Sequence, residues 1–304
     1  MTRPLVYTVT LNWNRCDDTL RCVASLLRLT YTPMGVLVVD NGSTDGSSTA
    51  IAERFPQVEQ VINRHNLGFA AGFNVGIRYA LTHGAELVLV LNNDTWCEPL
   101  MLSLLVGAMD DPRIGAVSPV IYYGDRPNQI WSVGGNRHPL TLEWIDKRQG
   151  QRVTADWPAF LDRDYLVGCA ILFRRALLEQ VGLFDEGFFV YYEDSDISLR
   201  ARRAGFRLGV VRDARMWHQV AASSGGSASP NERYWMGRSS VRFFRKHARS
   251  LRWLAVAPYR TGSALKTVAY LLLQGQSKSA WAYLRGLCDG LRDPIVRDEV
   301  LCAS

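Results

Sequence analysis

The stretch FFVYYEDSDISLR, residues 188–200, gathers three carboxylates, Glu193, Asp194 and Asp196, directly behind a run of aromatic residues. Carboxylates near a helix start are stabilised by the partial positive charge of the unpaired N–H groups there. They are also the groups that take a proton from a hydroxyl when they stand at the mouth of a site. Helix cap and catalytic base are both open readings. Asp196 and Arg200, four residues apart, fit an ion pair along one helix face. Three other places carry chemistry-bearing types. Asp40 precedes Asn-Gly, so it is either a turn residue or a ligand-binding acid. Asn92, Asn93, Asp94 and Thr95 present a carboxylate and carboxamides that suit a hard divalent cation, or a turn and helix cap. His218, in MWHQV, is a ligand, a core residue or a surface residue, and the last two are commoner.

These residues need elements to hold them. Apolar, β-branched runs at 5–11, 35–40, 58–62 and 86–91 alternate with helical stretches near 17–29, 47–55, 70–82 and 98–109. That alternation predicts βαβ units and a mostly parallel sheet. In such sheets ligands bind beyond the carboxyl ends of the strands, which is where Asn12, Asn14, Asp40 and Asn92–Asp94 fall. The first strand is not followed by G-x-G-x-x-G, which argues against a dinucleotide dehydrogenase. Glycines 68, 72 and 76 open the third helix and serve either a diphosphate or close helix packing. Residues 120–165 read as loops and short strands, 165–173 as a buried strand, 174–182 as a helix ending at Gly182, and 207–211 as a short strand. SSGGSASP, 223–230, reads as a mobile loop.

The totals bound the class. The chain has 304 residues, 47% of them apolar and 21% charged, an ordinary folded composition. Six scattered cysteines, at 16, 22, 97, 169, 288 and 302, include no C-x-x-C pair, so neither a disulfide framework nor a zinc site is expected. The N-terminus reads as a strand rather than a signal peptide, and the longest candidate span, 267–273, is far short of the roughly 20 apolar residues a membrane helix needs. A soluble, intracellular protein is the expectation. The net charge of +6 hides an asymmetry: residues 233–285 hold eleven Lys and Arg and no acid, and the remainder holds 24 basic against 29 acidic residues.

Taken in order, VVDNGSTDGS, NLGFAAGFNVGI, LNNDT, GCAILFRRALLEQVGLFDEGFFVYYEDSDISLRARRAGF and WHQV resemble glycosyltransferase family 2 over about residues 4–220. Within it, they are most similar to bacterial rhamnosyltransferase-like enzymes of surface polysaccharide synthesis. The resemblance implies an α/β, GT-A fold with a Rossmann-like, mostly parallel sheet flanked by helices over 1–230, and a basic amphipathic helical extension over 231–304. It implies an inverting, metal-dependent transfer from a nucleotide sugar, dTDP-rhamnose or a UDP-sugar, to a glycan or polyprenyl-linked acceptor. Carried over residue by residue, Asp194 is the base, and Asp40 contacts the nucleotide base. Thr10, Asn12, Asn14, Asn66, Gly68, Asn92 and Asn93 stand on the donor side. Asp94 and His218 hold Mg²⁺ or Mn²⁺, and Glu193, Tyr192 and Trp217 stand on the acceptor side. One departure is plain: Asn92 occupies the position of the family's first D-x-D carboxylate. A non-catalytic nucleotide-sugar or carbohydrate-binding protein with a decayed site is the alternative. A nucleotidyltransferase lacks support, because no glycine-rich nucleotide loop lies near the N-terminus.

In the basic tail, Arg238, Arg242, Arg245 and Arg249 share one helical face, and Val241, Phe244, Ala248 and Leu251 form an apolar stripe. Trp281, Leu284, Cys288 and Leu291 form another, flanked by Lys278, Arg285 and Arg292. Such helices suit an anionic membrane surface, placing the protein at the cytoplasmic face of the plasma membrane. Packing on the catalytic domain or in a homodimer is the other reading, and nucleic acid is not expected to be a partner.

Overall fold

The apolar runs at the start of the chain become parallel strands whose polar ends line up. β1 (Val6–Asn12), α1 (Cys16–Leu26), β2 (Met34–Asp40), α2 (Ser47–Arg54), β3 (Glu59–Ile62), α3 (Phe69–Thr82) and β4 (Leu87–Asn92) follow in order. β1 pairs in parallel with β2 and β4, and the register sets Asn12 opposite Asp40 and Leu11 opposite Asn92. Three strands therefore end in polar residues at one edge of the sheet. The computed structural model describes residues 3–146, 148–219 and 228–294. The predicted loop at 223–230 lies largely outside them.

The chain continues as β5 (Thr95–Cys97), α4 (Met101–Ala108), β6 (Ile114–Tyr123), β7 (Ile130–Ser132), β8 (Asn136–Arg137), β9 (Trp144–Ile145), β10 (Phe160–Arg163), β11 (Ala170–Arg174), α5 (Arg175–Val181), α6 (Glu193–Arg203) and β12 (Arg207–His218). The main sheet runs β10-β12-β6-β11-β4-β1-β2-β3, with β5 on β12 and β7 on β6. β11 is antiparallel to both its neighbours, so the sheet is mixed rather than purely parallel. Side chains alternate between two cores, as period-two strands require. Leu87, Leu89 and Leu91 face α1 and α4, whereas Val88 and Val90 face α3, α5 and α6.

Two strands differ from the pattern reading, for one reason. β6 contains Pro119, which cannot donate to a sheet ladder. The β6–β12 register slips between Val211, opposite Pro119, and Arg215, opposite Val120. This bulge takes up the polar residues Arg212 and Asp213, so β12 continues to His218 instead of stopping at 211. The described cysteines are free. Cys22, Cys97 and Cys169 are buried, and burial pushes the Cys22 thiol up to about 12.

These elements make the first of two compact units. The second holds His138–Glu143, Val190–Tyr192 and the C-terminal helices. Its helices are α7 (Pro230–His247), α8 (Trp253–Leu273) and α9 (Ser277–Arg292). α7 opens on a side-chain cap: Ser229 Oγ accepts the Glu232 N–H, and the Glu232 carboxylate accepts the N–H of Ala228, one residue before the cap. α7 and α9 approach closely at glycines. A Cβ on Gly286 would stand 2.1 Å from the Tyr234 carbonyl, and one on Gly290 would stand 2.6 Å from the Arg238 carbonyl.

The arginine stripe has a different destination from the one expected. Arg238 forms a two-pronged pair with Asp293 at 2.8 and 2.9 Å. Arg242 donates to the Pro294 carbonyl, and Arg245 to those of Gly290 and Asp293. Cations at a helix carboxyl end satisfy its unpaired carbonyls and complement its dipole. The stripe caps α9 from within the unit, and of the four only Arg249 is exposed. The apolar face of α9 stays uncovered: Trp281 is 72% exposed and Leu291 63%. Among the described residues no helix is long and apolar enough to cross a membrane.

Candidate active site

At the aligned strand ends a buried polar network forms. The Asp40 carboxylate accepts from Asn12 Nδ2 at 2.8 Å and from the Ser43 N–H at 2.7 Å. Asn12 Oδ1 accepts from Thr19 Oγ1 at 2.7 Å, and Asn93 Nδ2 donates to that same hydroxyl oxygen at 2.8 Å. Asp40, Asn12, Thr19 and Asn93 thus link the end of β2 to the turn after β4. Their mutual pairing removes the penalty that lone buried polar groups would carry. Thr19 was not foreseen; it lies inside α1, where nothing in the local pattern marks it.

Asp94 follows in that turn and is 2% exposed. The antiparallel pairing of β5 with β12 sets His218 opposite Thr95, next to it. His218 Nε2 lies 3.1 Å from Asp94 Oδ1, and the Gln219 N–H donates to the Asp94 carbonyl at 2.9 Å. Trp131 packs edge-on against the imidazole with centroids 4.5 Å apart. Among the described residues the ring's buried Nδ1 meets no hydrogen-bond partner, and Trp131 packs against the ring.

This pair fits a divalent cation. Adjacent ligands at 2.0–2.1 Å from an octahedral metal stand about 3.0 Å apart, close to the observed separation. Among the described residues no group of three or more His, Cys, Asp or Glu side chains converges in this way. Among the described residues, Asp94 and His218 are the two side chains that meet there. Asn92 adds no carboxylate, and its carbonyl accepts from Thr95 Oγ1 at 2.6 Å.

The Glu193–Asp194 pair opens α6, and the chain enters it through Tyr191 and Tyr192, whose φ values are +68° and +69°. Left-handed backbone at two successive tyrosines costs on the order of 1–3 kcal/mol each, and such strain gathers at functional sites. Asp194 Oδ2 accepts from Tyr165 Oη at 2.8 Å and from the Gly168 N–H at 2.9 Å, and Oδ1 accepts the Ser195 N–H at 2.6 Å. Burial raises the Asp194 pKa, and these donors hold the rise back. Glu193 is pushed well above the carboxylate range, first by burial and then by the Asp194 charge. Its buried Oε2 has no hydrogen-bond partner. Charge on one of two adjacent carboxyls disfavours charge on the other, and the three donors favour it on the partly exposed Asp194. These directions favour the proton on Glu193 and the negative charge on Asp194.

One dipeptide touches both centres. The Gly168 N–H reaches Asp194, and the Cys169 carbonyl accepts the Asn92 N–H at 3.0 Å. Asp196 is structural, as its spacing predicts: fully buried, it pairs with Arg200 Nε at 2.7 Å, and Arg200 also holds the Val181 and Leu183 carbonyls.

Several predicted donor-side residues make internal contacts in this structure. Thr10 is completely buried beneath the strand ends beside the Cys22 thiol. Asn14 accepts the Thr44 N–H and braces two loops against each other. Asn66 Oδ1 accepts from Asn41 Nδ2 and from the Gly68 N–H. The Phe69 N–H goes to the Phe189 carbonyl, so the start of α3 spends its first donors on protein. Its glycines serve packing: a Cβ would meet Phe189 at Gly68, Leu11 at Gly72 and Val9 at Gly76, each within 2.7 Å. The expected acceptor-side aromatics each pack on protein rings. Tyr192 packs on Phe243 and Phe244 in the second unit. Trp217 faces away from His218 on β12, stacked beside Trp96, with its indole N–H on the Pro127 carbonyl.

Comparison with known proteins bears on the same segments. The model of a family described as Glycosyl transferase family 2 matches residues 8–182. The N-acetylglucosaminyl-diphospho-decaprenol L-rhamnosyltransferase of Mycobacterium tuberculosis is 30% identical over 226 residues, 67% of this chain and 73% of the relative. The dTDP-rhamnosyl transferase RfbF of Shigella flexneri is 24% identical over 70% of this chain and 71% of its own. Among solved structures, the mannosyltransferase PcManGT from Pyrobaculum calidifontis, in complex with GDP-Man and Mn²⁺, superposes with a TM-score of 0.60 at 19% identity, covering 97% of this chain and 89% of that one. GalNAc-T7 with UDP, GalNAc and Mn²⁺ gives a TM-score of 0.59 at 15% identity, over 79% of this chain and half of that longer one. At these identities the superpositions speak for the fold, and it is the GT-A fold that the motifs imply.

Proposed function

Because the chain belongs to glycosyl transferase family 2, we propose that it moves a sugar, with inversion, from a nucleoside-diphosphate sugar to a lipid-linked glycan acceptor in surface polysaccharide synthesis. The observation that carries this reading is the Gly168–Cys169 dipeptide: the Gly168 N–H binds the three-donor carboxylate of Asp194, and the Cys169 carbonyl holds the Asn92 N–H at the start of the turn that bears Asp94, which lies 3.1 Å from His218 on β12. dTDP-rhamnose is the favoured donor, after the two rhamnosyltransferase relatives, and a UDP-sugar is the next. The acceptor class follows the mycobacterial relative: an N-acetylglucosaminyl unit on a polyprenyl diphosphate.

In this reading Asp40 receives the nucleotide base at the end of β2, and the network through Asn12, Thr19 and Asn93 keeps that end in register with the Asn92–Asp94 turn. Asp94 and His218 hold a divalent cation, Mg²⁺ or Mn²⁺, and the imidazole tilts the preference toward Mn²⁺. When bound, the cation neutralises charge on the departing diphosphate. Asp194 takes the proton of the acceptor hydroxyl as the new glycosidic bond forms and the bond to the diphosphate breaks. One ionised carboxylate suits a single displacement. A glycosidase would need two opposed acids, and Glu193 is adjacent to Asp194 rather than across a substrate from it. In the second unit, the uncovered apolar residues of α8 and α9, with Lys278, Arg285 and Arg292 exposed beside them, fit an anionic membrane surface where a lipid-linked acceptor resides.

The test is release of dTDP from dTDP-rhamnose with Mn²⁺, with and without a short-chain N-acetylglucosaminyl diphosphate lipid. Acceptor-dependent release is expected. Binding of the nucleotide sugar with no turnover on any acceptor would favour a carbohydrate-binding protein, the reading that the missing acid at Asn92 leaves open.

A further inference from the structure

Trp144 is a large aromatic on a two-residue strand, and it stands 38% exposed. One face of its indole lies on Tyr165, with centroids 4.9 Å apart and planes at 22°. Tyr165 in turn donates its hydroxyl to Asp194 Oδ2. An exposed ring is therefore joined to the carboxylate through a single buried side chain. The hairpin that carries it is anchored at the same place. Arg137, on β8, donates to the Ser195 carbonyl in the first turn of α6, and the Gly135 N–H goes to the Tyr165 carbonyl. A Cβ on Gly135 would sit 3.0 Å from the Ile145 carbonyl, so the glycine lets the chain before β8 lie close to the strand that carries Trp144.

We propose that Trp144, seated on Tyr165, is the platform for a pyranose ring of the acceptor. Trp144 keeps 38% of its surface open to solvent, and an aromatic face attracts the polarised C–H groups on the flat side of a pyranose. The platform stands one ring beyond Tyr165 from the carboxylate. It can hold an acceptor sugar while a hydroxyl of the acceptor reaches Asp194. Tyr165 is a positioning residue: it supports the indole and fixes the carboxylate with one side chain. This assignment rests on Asp194 being the base, and it replaces Tyr192 and Trp217 as the acceptor-side aromatics.

The experiment is saturation-transfer difference NMR on the full chain with methyl N-acetyl-β-glucosaminide as probe, in the presence of dTDP and Mn²⁺. Strong transfer to the ring protons is expected in the wild type. It should fall by roughly fivefold to tenfold in Trp144→Ala and be largely kept in Trp144→Phe, in line with the worth of one aromatic contact. Trp281→Ala, which removes an exposed indole of α9, should leave it unchanged. Equal transfer in Trp144→Ala, or none in the wild type, overturns the platform. A thermal shift with dTDP, read in parallel, separates the two levels. If dTDP causes no shift but the sugar signal depends on Trp144, the donor reading falls and the platform stands.

Discussion

His218 Nε2 lies 3.1 Å from Asp94 Oδ1, although 124 positions separate them in the chain. The pairing of β5 with β12 makes that contact, and a ligand pair this close fits one divalent cation. Asp94→Ala and His218→Ala should each weaken Mn²⁺-dependent donor binding, Asp94→Ala by on the order of 100-fold or more because the charge goes with it. Titration calorimetry of dTDP with and without Mn²⁺ reads this. Unchanged metal dependence in both variants would place the cation elsewhere.

Asp194→Asn should lower kcat by about 10²–10⁴-fold while dTDP still binds, since the amide keeps the shape and loses the base. The pH profile adds a sign. Burial raises the Asp194 pKa and the Tyr165 hydroxyl lowers it. A base works only when deprotonated, so activity falls as pH drops through this raised value. Tyr165→Phe removes a donor to the carboxylate, raises the pKa further and should move the acidic limb to higher pH. A limb that stays put would mean that another group sets it.

How much of this site could be read from the chain depends on where each residue sits. The placement of Asp40, Asn93 and Asp94 at the carboxyl edge of the sheet was legible because strands announce their ends. Asn41 was not, although it ties Asn63, Asn66, Leu67 and Gly68 together, because its partners meet only in the fold. Trp144 and Tyr165 lie in the stretch with the weakest periodicity and were missed as a pair. The arginines of α7 teach the complementary lesson. Their spacing correctly puts them on one face, but periodicity does not say what that face meets, and it meets the end of α9. β6 was hidden by Pro119 and Gly115, which lower strand propensity in a strand that tertiary pairing forms regardless.

Glu193→Gln tests the proton assignment without touching the base. The folded-state pKa of Glu193 is raised, so the folded state favours the protonated form. The stability this group contributes is full below its unfolded value near 4.5 and is lost as pH rises through the folded one. Glutamine imitates the protonated acid at every pH. The variant should match the wild type in Tm at acidic pH and exceed it progressively as pH rises. A variant that matches the wild type at acidic pH and becomes progressively less stable than it as pH rises would show that Glu193 is ionised in the fold.

Asn93→Ala should cut the link between the base edge and the cation turn. Its amide donates to Thr19 Oγ1 and lies 3.3 Å from Asn12 Oδ1, so removal leaves buried acceptors short of a donor at about 1–3 kcal/mol. Donor affinity should fall along with chemical stability to urea, because Asp94 sits on the loosened turn. Unaltered stability with unaltered affinity would mean that the network carries no positioning role.

The two sets of basic residues in the second unit should behave oppositely. Arg238→Ala removes a two-pronged pair with Asp293 and should cost about 1–3 kcal/mol of stability. Its effect on lipid binding should be small, because that charge is spent on the end of α9. Lys278, Arg285 and Arg292 are exposed beside the uncovered Trp281 and Leu291. Changing all three to Glu should leave Tm nearly unchanged and abolish co-sedimentation with anionic liposomes, each charge near such a surface being worth about 1 kcal/mol. Neutral liposomes are the control. If the wild type sediments equally with both, charge does not direct the contact; if the triple variant still prefers anionic vesicles, the basic face lies elsewhere. Because the arginine stripe is folded inward, the lipid preference should follow α9 and not α7.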